Sequence, residues 1–238
     1  MPSHRPLPTA TLSPTDRLPR LLLLGGLLGL ATPAGAATLT VNSLADTTGG
    51  GDCTLRNAIT AANTDTATGG CLAGSGADEI VFAPALTAGG DAAITLSTVG
   101  NSLAGPAAFG ITSAVTIRGP QGANGITLDA SGATMRHFNV AASGSLTLEY
   151  LTLTGGRAQG GPGGRGGGAL PIGGGGAAGL GGVIFNQGTV QVRYSTLSGN
   201  AAQGGAGGNG NDGSLSAAGG GGGGGGLGGG GGAGGRPG

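Results

Sequence analysis

The sequence has few of the residues from which most proteins build cores and charged surfaces. Aromatic residues make up 3% of its 238 residues, tryptophan is absent, and 8% are charged. A compact core built on large side chains is therefore not expected. Ten basic residues balance ten acidic ones, which gives a formal net charge of zero. Nucleic acids and anionic membranes are bound mainly through basic patches, so we expect neither as a partner.

Long apolar runs are also missing. The longest, LLLLGGLLGLA at 21–31, has about half of the ~20 residues that a membrane-spanning helix needs. It follows three arginines and precedes Ala34-Gly35-Ala36, an A-x-A cleavage site. This arrangement is typical of a secretory signal peptide, so we predict a signal at 1–36 and a mature chain that begins at Ala37. A signal anchor that is retained is the alternative.

Cysteine and histidine occur twice each. The histidines are His4 and His137, so a zinc site is not expected, and we assign no metal and no other cofactor. An even number of cysteines in an exported chain is typical of a disulfide, and we predict a Cys53–Cys71 bridge. An unstrained bridge across this loop would stabilise the fold by about 3 kcal/mol.

Glycine is the residue in excess, with 61 copies but no strict three-residue period along the chain. We predict a glycine-rich insertion at 157–180, looped out from one face, and a disordered tail at 201–238 that has too little apolar area to offset its ordering entropy. The tail contains one GGxGxD calcium motif at 207–212. In calcium repeats each ion is shared between successive turns, so one copy leaves calcium binding open.

Residues 53–63, CTLRNAITAAN, show the spacing of a short helix. Thr54 is its predicted N-cap. The apolar residues fall at i, i+3, i+4 and i+7, on one face: Leu55, Ala58, Ile59 and Ala62. Because a helix of this length is marginal alone, we expect that face to be a contact surface.

Short strands separated by glycine turns make up most of the remaining sequence, which suggests a sandwich, a barrel or a solenoid. Self-similarity favours the solenoid, because SGSLTLEYLTLTGG (143–156) aligns without gaps on QGTVQVRYSTLSGN (187–200). We therefore predict an all-β fold, a parallel β-helix in which 136–156 and 181–200 stack. The alignment predicts the following stacked pairs: Leu146 on Val190, Leu148 on Val192, Leu153 on Leu197, Phe138 on Phe185, Asn139 on Asn186, Tyr150 on Tyr194, and an outward ion pair of Glu149 with Arg193.

The box CTLRNAI at 53–59, followed by Ala62-Asn63, GSGADEIVFA (74–83) and TIRGPQGANGITLDA (116–130), resembles the CSLREA-domain family of exported bacterial proteins. The later turns also resemble repeats of polymorphic outer-membrane proteins. The first resemblance implies a strand and a disulfide-pinned capping helix at 37–78, before a right-handed parallel β-helix at 79–200. Where the family box has Ser and then Glu as a capping box, this chain has Thr54 and Asn57, so the reciprocal carboxylate is missing.

Parallel β-helices include polysaccharide lyases and hydrolases, which need paired carboxylates, or calcium with a basic residue, on the outer face. The repeat region offers the following charged and titratable residues, nearly all at isolated outward positions: Asp91, Asp129, Glu149, Arg118, Arg136, His137 and Arg193. We therefore expect no catalytic residue. We expect an exported protein with a structural or adhesive role, in the extracellular space or on the outer surface of a bacterial cell, with glycans or extracellular matrix as partners. A carbohydrate-active β-helix enzyme, or a truncated fragment of one, is the alternative. The ligand, the anchoring mode and the oligomeric state stay open.

Overall fold

A computed structural model of the chain describes residues 35–165 and 173–209. Nearly all of the predicted signal peptide, the middle of the predicted insertion, and most of the predicted tail with the Asp212 motif lie outside these ranges. The described chain forms one α-helix, α1 (Leu55–Thr64), and a short 3-10 helix at Pro84–Thr87. Its strands are β1 (Thr38–Val41), β2 (Ala77–Phe82), β3 (Ala92–Thr95), β4 (Ala107–Ile111), β5 (Ala114–Arg118), β6 (Ile126–Asp129), β7 (Arg136–Val140), β8 (Ser145–Glu149), β9 (Leu151–Thr154), β10 (Arg157–Gln159), β11 (Ile184–Asn186), β12 (Thr189–Arg193), β13 (Thr196–Ser198) and β14 (Ala201–Gln203).

The strands form four sheets in which neighbouring strands run parallel. The orders are β1-β2-β5-β8-β12 in a five-stranded sheet, β13-β9-β6-β3 in a four-stranded sheet, β11-β7-β4 in a three-stranded sheet and β10-β14 in a two-stranded sheet. For residues 35–165 and 173–209, the prediction of an all-β fold with one short α-helix is confirmed.

The chain visits the three larger sheets in a repeated order. After β5 in the five-stranded sheet it enters β6 in the four-stranded sheet and β7 in the three-stranded sheet, and then returns to the first sheet as β8. The same order brings β9, β11 and then β12, which pairs with β8. We call the strands of one such cycle a layer. The last layer consists of β11 to β14, and the layer before it consists of β7 to β10. Each strand of a new layer thus lies beside its counterpart in the layer before.

Alternation of aliphatic and polar residues explains why many of these segments are strands, since β2, β5, β6, β8 and β9 bury every second side chain. In β8 both leucines are fully buried, whereas the flanking serine, threonine and glutamate are partly exposed. Parallel pairing then stacks the buried side chains into columns. One column in the five-stranded sheet runs Leu39, Ile80, Ile117 and Leu148. The core is therefore built from aliphatic stacks, as the scarcity of aromatic residues requires.

The register of the last layer follows the sequence alignment in two sheets and departs from it in the third. Leu146 pairs with Val190, Leu148 with Val192 and Leu153 with Leu197. The predicted pairings of Phe138 with Phe185 and of Asn139 with Asn186 are wrong. The structure pairs Phe138 with Ile184, Asn139 with Phe185 and Val140 with Asn186.

The predicted pairing is wrong because the Phe-Asn match lies outside the ungapped repeat of 143–156 and 187–200. The observed pairing also has an irregularity just before β11. The Val183 carbonyl accepts hydrogen bonds from the backbone N–H groups of both His137 (2.9 Å) and Phe138 (3.0 Å). One residue of β11's chain therefore faces two residues of β7's chain. The side chain of Asn186 accepts a hydrogen bond from the Gly188 N–H at 2.9 Å, which places it in the following turn rather than in an amide ladder.

The glycine-rich segments are ordered where the structure describes them. Strand β10 pairs with β14, so the first residues of the predicted insertion and of the predicted tail are strands. Beyond them, residues 160–165, 173–180 and 203–209 lie side by side, and we call these three segments the glycine bundle. Six backbone hydrogen bonds of 2.8 Å join them, from the N–H groups of Gly160, Gly163, Ala177, Gly174, Gly205 and Gly208 to the carbonyls of Gln203, Ala206, Gly161, Gly164, Ala177 and Gly174, respectively.

These bonds recur at every third residue within each segment, which is the period of a polyproline II helix and not of a strand. Close packing recurs with the same period. A Cβ atom placed on Gly160, Gly163, Gly205 or Gly208 would overlap the backbone of a neighbouring segment. The prediction of disorder from residue 201 is therefore wrong for 201–209, because main-chain hydrogen bonds supply the contacts that side chains cannot.

Candidate functional site

The helix begins where the sequence pattern places it. The Thr54 hydroxyl accepts a hydrogen bond from the Asn57 N–H at 3.1 Å and so forms the N-cap. Asn57 does not replace the missing carboxylate of a capping box. Its side-chain amide instead donates to the carbonyls of Gly49 and Asp52, both at 2.9 Å, and accepts from the Gly49 N–H at 2.9 Å. Asn57 therefore holds the loop before the helix.

Cys53 and Cys71 form the predicted disulfide, which ties the start of α1 to the segment that follows it. The four residues of the predicted helix face are each no more than 3% exposed: Leu55, Ala58, Ile59 and Ala62. The helix contacts β1 and β4, which are the first strands of their sheets, and also β2 and β5. At its other end the Asn63 side chain donates to the Gly110 carbonyl (2.8 Å) and accepts from the Thr112 N–H (2.9 Å).

A buried ion pair that the sequence pattern does not reveal fixes the helix further. The Arg56 side chain is 6% exposed, pairs with the Asp46 carboxylate, and donates to the carbonyls of Ala108 (2.7 Å) and Thr98 (2.9 Å). Its guanidinium carbon lies 4.9 Å from the centre of the Phe109 ring. Asp46 also accepts hydrogen bonds from the N–H groups of Ser97 and Thr98. The arginine of the CTLRNAI box is thus the link between α1 and the β3–β4 connection.

A groove of about 320 Å³ lies between α1 and β4, and its lining includes Ile59, Asn63, Asn101 and Phe109. Two of the polar side chains around it are already bonded, because Asn63 joins α1 to the β4–β5 turn and the Asn101 Oδ1 accepts from Asn139 at 2.7 Å. We therefore assign this groove a structural role in seating the helix.

The outer face of the five-stranded sheet carries a ladder of alternating charge, one residue from each of four neighbouring strands. Arg118 lies 3.1 Å from the carboxylate of Glu79 and 3.0 Å from that of Glu149. Arg193 lies 3.9 Å from the other oxygen of Glu149, so the predicted outward pair is the end of a longer row. Arg118, Glu149 and Arg193 are therefore not isolated positions, contrary to the expectation from the sequence, and Glu79 is a fourth member that the sequence did not indicate. Register explains the row, since parallel pairing places Arg118, Glu149 and Arg193 side by side.

Two tyrosines extend this ladder at the corner where each strand of the sheet ends. Tyr150 follows β8 and Tyr194 follows β12, and their rings stack with centroids 5.0 Å apart and planes 13° apart. Both have left-handed backbones, with φ of 55° and 51°. Tyr194 is 76% exposed. Gly119 holds the equivalent place one layer earlier, where a Cβ would overlap the carbonyl of Tyr150.

The left-handed conformation costs an ordinary residue about 1–2 kcal/mol, and a stacked aromatic pair contributes about 0.5–1.5 kcal/mol beyond its burial. The stack therefore does not offset the strain of two residues. Strain that a fold retains in this way is found mostly at functional sites. This corner, formed by Tyr150, Tyr194, Glu149 and Arg193, is our candidate binding site, and we call it the tyrosine corner.

The adjacent basic pair of the sequence lies in the interior, contrary to the expectation of outward positions. Arg136 is 4% exposed and His137 is fully buried. The Arg136 guanidinium donates to the carbonyls of Ala104 (2.6 Å) and Leu180 (2.9 Å), so it ties the glycine bundle to the β3–β4 connection. The Nε2 atom of His137 lies 2.9 Å from the Leu128 carbonyl. Burial lowers the pKa of both side chains.

The two other carboxylates of the repeat region, Asp129 and Asp91, have structural partners. Asp129 accepts hydrogen bonds from the hydroxyl and the N–H of Ser131, which lower its pKa. Asp91 accepts from the Gly125 N–H at 2.7 Å. Within 35–165 and 173–209, no three His, Cys, Asp or Glu side chains are grouped closely enough to hold a metal ion.

Comparisons of the chain with protein-family models, with curated proteins and with solved structures find no match. In the same described ranges, the structure contains no helix of the length and apolarity that a bilayer crossing would need.

Proposed function

We propose that the layered sheets are a right-handed parallel β-helix whose first layer is capped by α1 and pinned by the disulfide. Three observations support this proposal: the repeated order in which the chain visits the sheets, the parallel pairing of every new strand with the layer before, and the aliphatic columns along the stack. Parallel strands in one sheet need crossover connections, and these are right-handed in about 98% of cases.

We further propose that the protein is exported and acts by adhesion, either on the outer surface of a bacterial cell or in the extracellular space. It binds glycans of that surface or of the surrounding matrix. The tyrosine corner carries this proposal. Its aromatic rings are held on the outer face at a cost in backbone strain, and Tyr194 is 76% exposed. The C–H faces of sugar rings are apolar and stack on aromatic faces, while the neighbouring Arg193 side chain, 57% exposed, offers donors to hydroxyl or carboxylate groups.

The environment of the carboxylates favours binding over catalysis. A glycoside hydrolase needs one carboxylic acid with a raised pKa and a second carboxylate across the scissile bond. Asp129 has a lowered pKa because Ser131 bonds its charged form. Glu149 lies between two arginines. Asp129 is thus held in its ionised form, and Glu149 is already engaged in ion pairs, which suits structural carboxylates better than a general acid and its partner.

The experiment measures binding and turnover together. Purified protein is incubated with a panel of acidic and neutral polysaccharides, and both retention on the immobilised glycan and release of new chain ends are followed. Changing Tyr194 to glycine removes the ring and also the backbone strain, so we expect unchanged or higher stability but at least about fivefold weaker binding. Leu103→Ala is the matched control, since Leu103 is 90% exposed and lies away from the corner.

Two results would contradict the proposal. One is turnover that disappears in Asp129→Ala or Glu149→Ala, which would support the carbohydrate-active enzyme instead. The other is glycan binding that Tyr194→Gly leaves intact, which would move the binding site elsewhere.

A further inference from the structure

The two ends of the layered sheets differ. At the amino-terminal end, α1 contacts the edge strands β1 and β4. At the other end, β12 and β13 are edge strands with no further strand beside them in the described part of the chain. Their inward side chains are consequently exposed: Val192 by 40% and Leu197 by 46%, whereas Leu148 and Leu153, one layer earlier, are fully buried. An edge of this kind readily pairs with another strand.

The free hydrogen-bonding groups of β12 can be identified from its pairing with β8. The Thr189 N–H donates to the Gly144 carbonyl at 3.0 Å, and the Arg193 carbonyl accepts from the Tyr150 N–H at 3.3 Å, so both residues direct their backbone groups toward β8's chain. Successive residues of a strand direct these groups to opposite sides. Val190 and Val192 therefore direct one N–H and one C=O each toward the open edge.

The composition of residues 210–238 disfavours another layer of this kind. Residues 210–238 contain 18 glycines, and their only large apolar residues are Leu215 and Leu227. The layer before the last buries four leucines from β8 and β9 alone, at positions 146, 148, 151 and 153. A segment without β-branched or aromatic residues is a poor strand former. The occupant of the edge must therefore have strand-forming residues of its own.

We propose that the occupant is a second copy of this chain, paired through β12 in an antiparallel arrangement about a twofold axis at Gln191. This register places Val190 opposite Val192 of the second copy, and Val192 opposite Val190 of the second copy. Residues that face each other in this way exchange two hydrogen bonds. The two valine pairs thus use all four groups directed to the open edge on each copy, and their side chains stay on the inward face.

Charge also fits this register. Arg193 lies opposite Thr189 of the second copy, so no like charges face each other across the new pair of strands. The helix α1 covers the opposite end, and a head-to-tail filament through both ends is therefore not expected. A twofold pairing is closed, so the assembly is a dimer. This proposal does not depend on glycan binding.

The test is the molar mass of the purified protein, measured by size-exclusion chromatography with light scattering over a range of micromolar concentrations. We expect a dimer. Val192→Glu introduces a charge at the paired edge and should give a monomer, while the exposure of this side chain in a single copy lets the variant fold. A native circular dichroism spectrum checks the folding.

A pair of substitutions at Thr189 tests the register itself and keeps the proposal testable if Val192→Glu fails to fold. Thr189→Glu places a carboxylate opposite Arg193 of the second copy and should tighten the dimer, and Thr189→Arg should weaken it, each by up to about fivefold in Kd. A monomeric protein, a folded Val192→Glu variant that stays dimeric, or Thr189 variants that shift Kd in the same direction would overturn the proposal.

Discussion

The glycine bundle makes a sharp prediction about two neighbouring residues, Gly204 and Gly205. A Cβ atom on Gly205 would overlap the carbonyl of Gly161 in the adjacent segment. A Cβ atom on Gly204 would have the Ala177 carbonyl oxygen, at 3.6 Å, as its nearest neighbour, which is ordinary van der Waals contact. Gly205→Ala should therefore disrupt the bundle, and Gly204→Ala should not.

The loss of local stability in Gly205→Ala can be estimated from the hydrogen bonds that would break. Segment 203–209 takes part in four of the six bonds of the bundle, two with each of the other segments. Each contributes about 0.5–1.5 kcal/mol, so displacing the segment costs roughly 2–6 kcal/mol of local stability. Gly204→Ala instead reduces the freedom of the unfolded chain and should stabilise the bundle by about 0.4–1 kcal/mol.

Hydrogen–deuterium exchange read by mass spectrometry reports on this local stability. In Gly205→Ala, peptides from 160–165 and 173–180 should exchange at least about 30-fold faster, which corresponds to the lower limit of 2 kcal/mol. In Gly204→Ala they should exchange at the original rate or more slowly. Peptides from β5 and β8 serve as the internal control, since the bundle lies outside their sheet. Equal effects of the two alanines, or no effect of Gly205→Ala, would refute the packing described for the bundle.

Three further predictions concern the core and the helix. Burial lowers the pKa of His137. The contribution of the neutral imidazole to stability should therefore be complete above the unfolded pKa of about 6.5 and should decline as the pH falls below that value. Urea unfolding across this pH range should show the decline in the parent protein and a smaller decline in His137→Gln. Arg56→Met leaves the Asp46 carboxylate, whose side chain is 5% exposed, without its buried partner and should destabilise the fold by about 3–5 kcal/mol, whereas Arg193→Gln on the surface should cost less than about 1 kcal/mol in the same denaturation assay. Replacing both Cys53 and Cys71 by serine should lower the unfolding free energy by about 3 kcal/mol. The intact mass of the exported protein should correspond to a chain that starts at Ala37 and has no free thiol. Two reactive thiols would contradict the bridge.

Much of the strand framework could be predicted because it depends on local alternation and on one ungapped repeat. The pairing of Glu149 with Arg193 is of this kind, since a gapless match fixes the register. The register at Phe138 could not be predicted in this way, because Phe138 and Phe185 lie outside the ungapped repeat and the connections that follow β7 and β11 differ in length. Strand β4 has no clear signal in the sequence, since its AAFGI segment has small residues where strands usually carry β-branched ones.

The buried ion pair and the glycine bundle were missed for different reasons. Asp46 and Arg56 are distant in sequence from β4 and from the β3–β4 connection, which they hold. Nothing in the spacing of charges along the chain shows that a pair is buried. The glycine-rich segments were predicted to be disordered because a composition rule counts apolar area in one segment alone. Their order instead comes from contacts between three segments, and those contacts depend on the absence of side chains.

Pairing between successive layers also bears on how the chain folds. Val115 pairs with Leu146, and Leu148 with Val192, so each layer contacts the one before it and closes a loop of similar length. The entropy of closing such a loop depends only weakly on its length. Adding a layer therefore meets nearly the same barrier however many layers precede it, and folding can propagate from a formed layer to the next. Because the helix and the disulfide stabilise the layer at the amino-terminal end, we expect this propagation to start there.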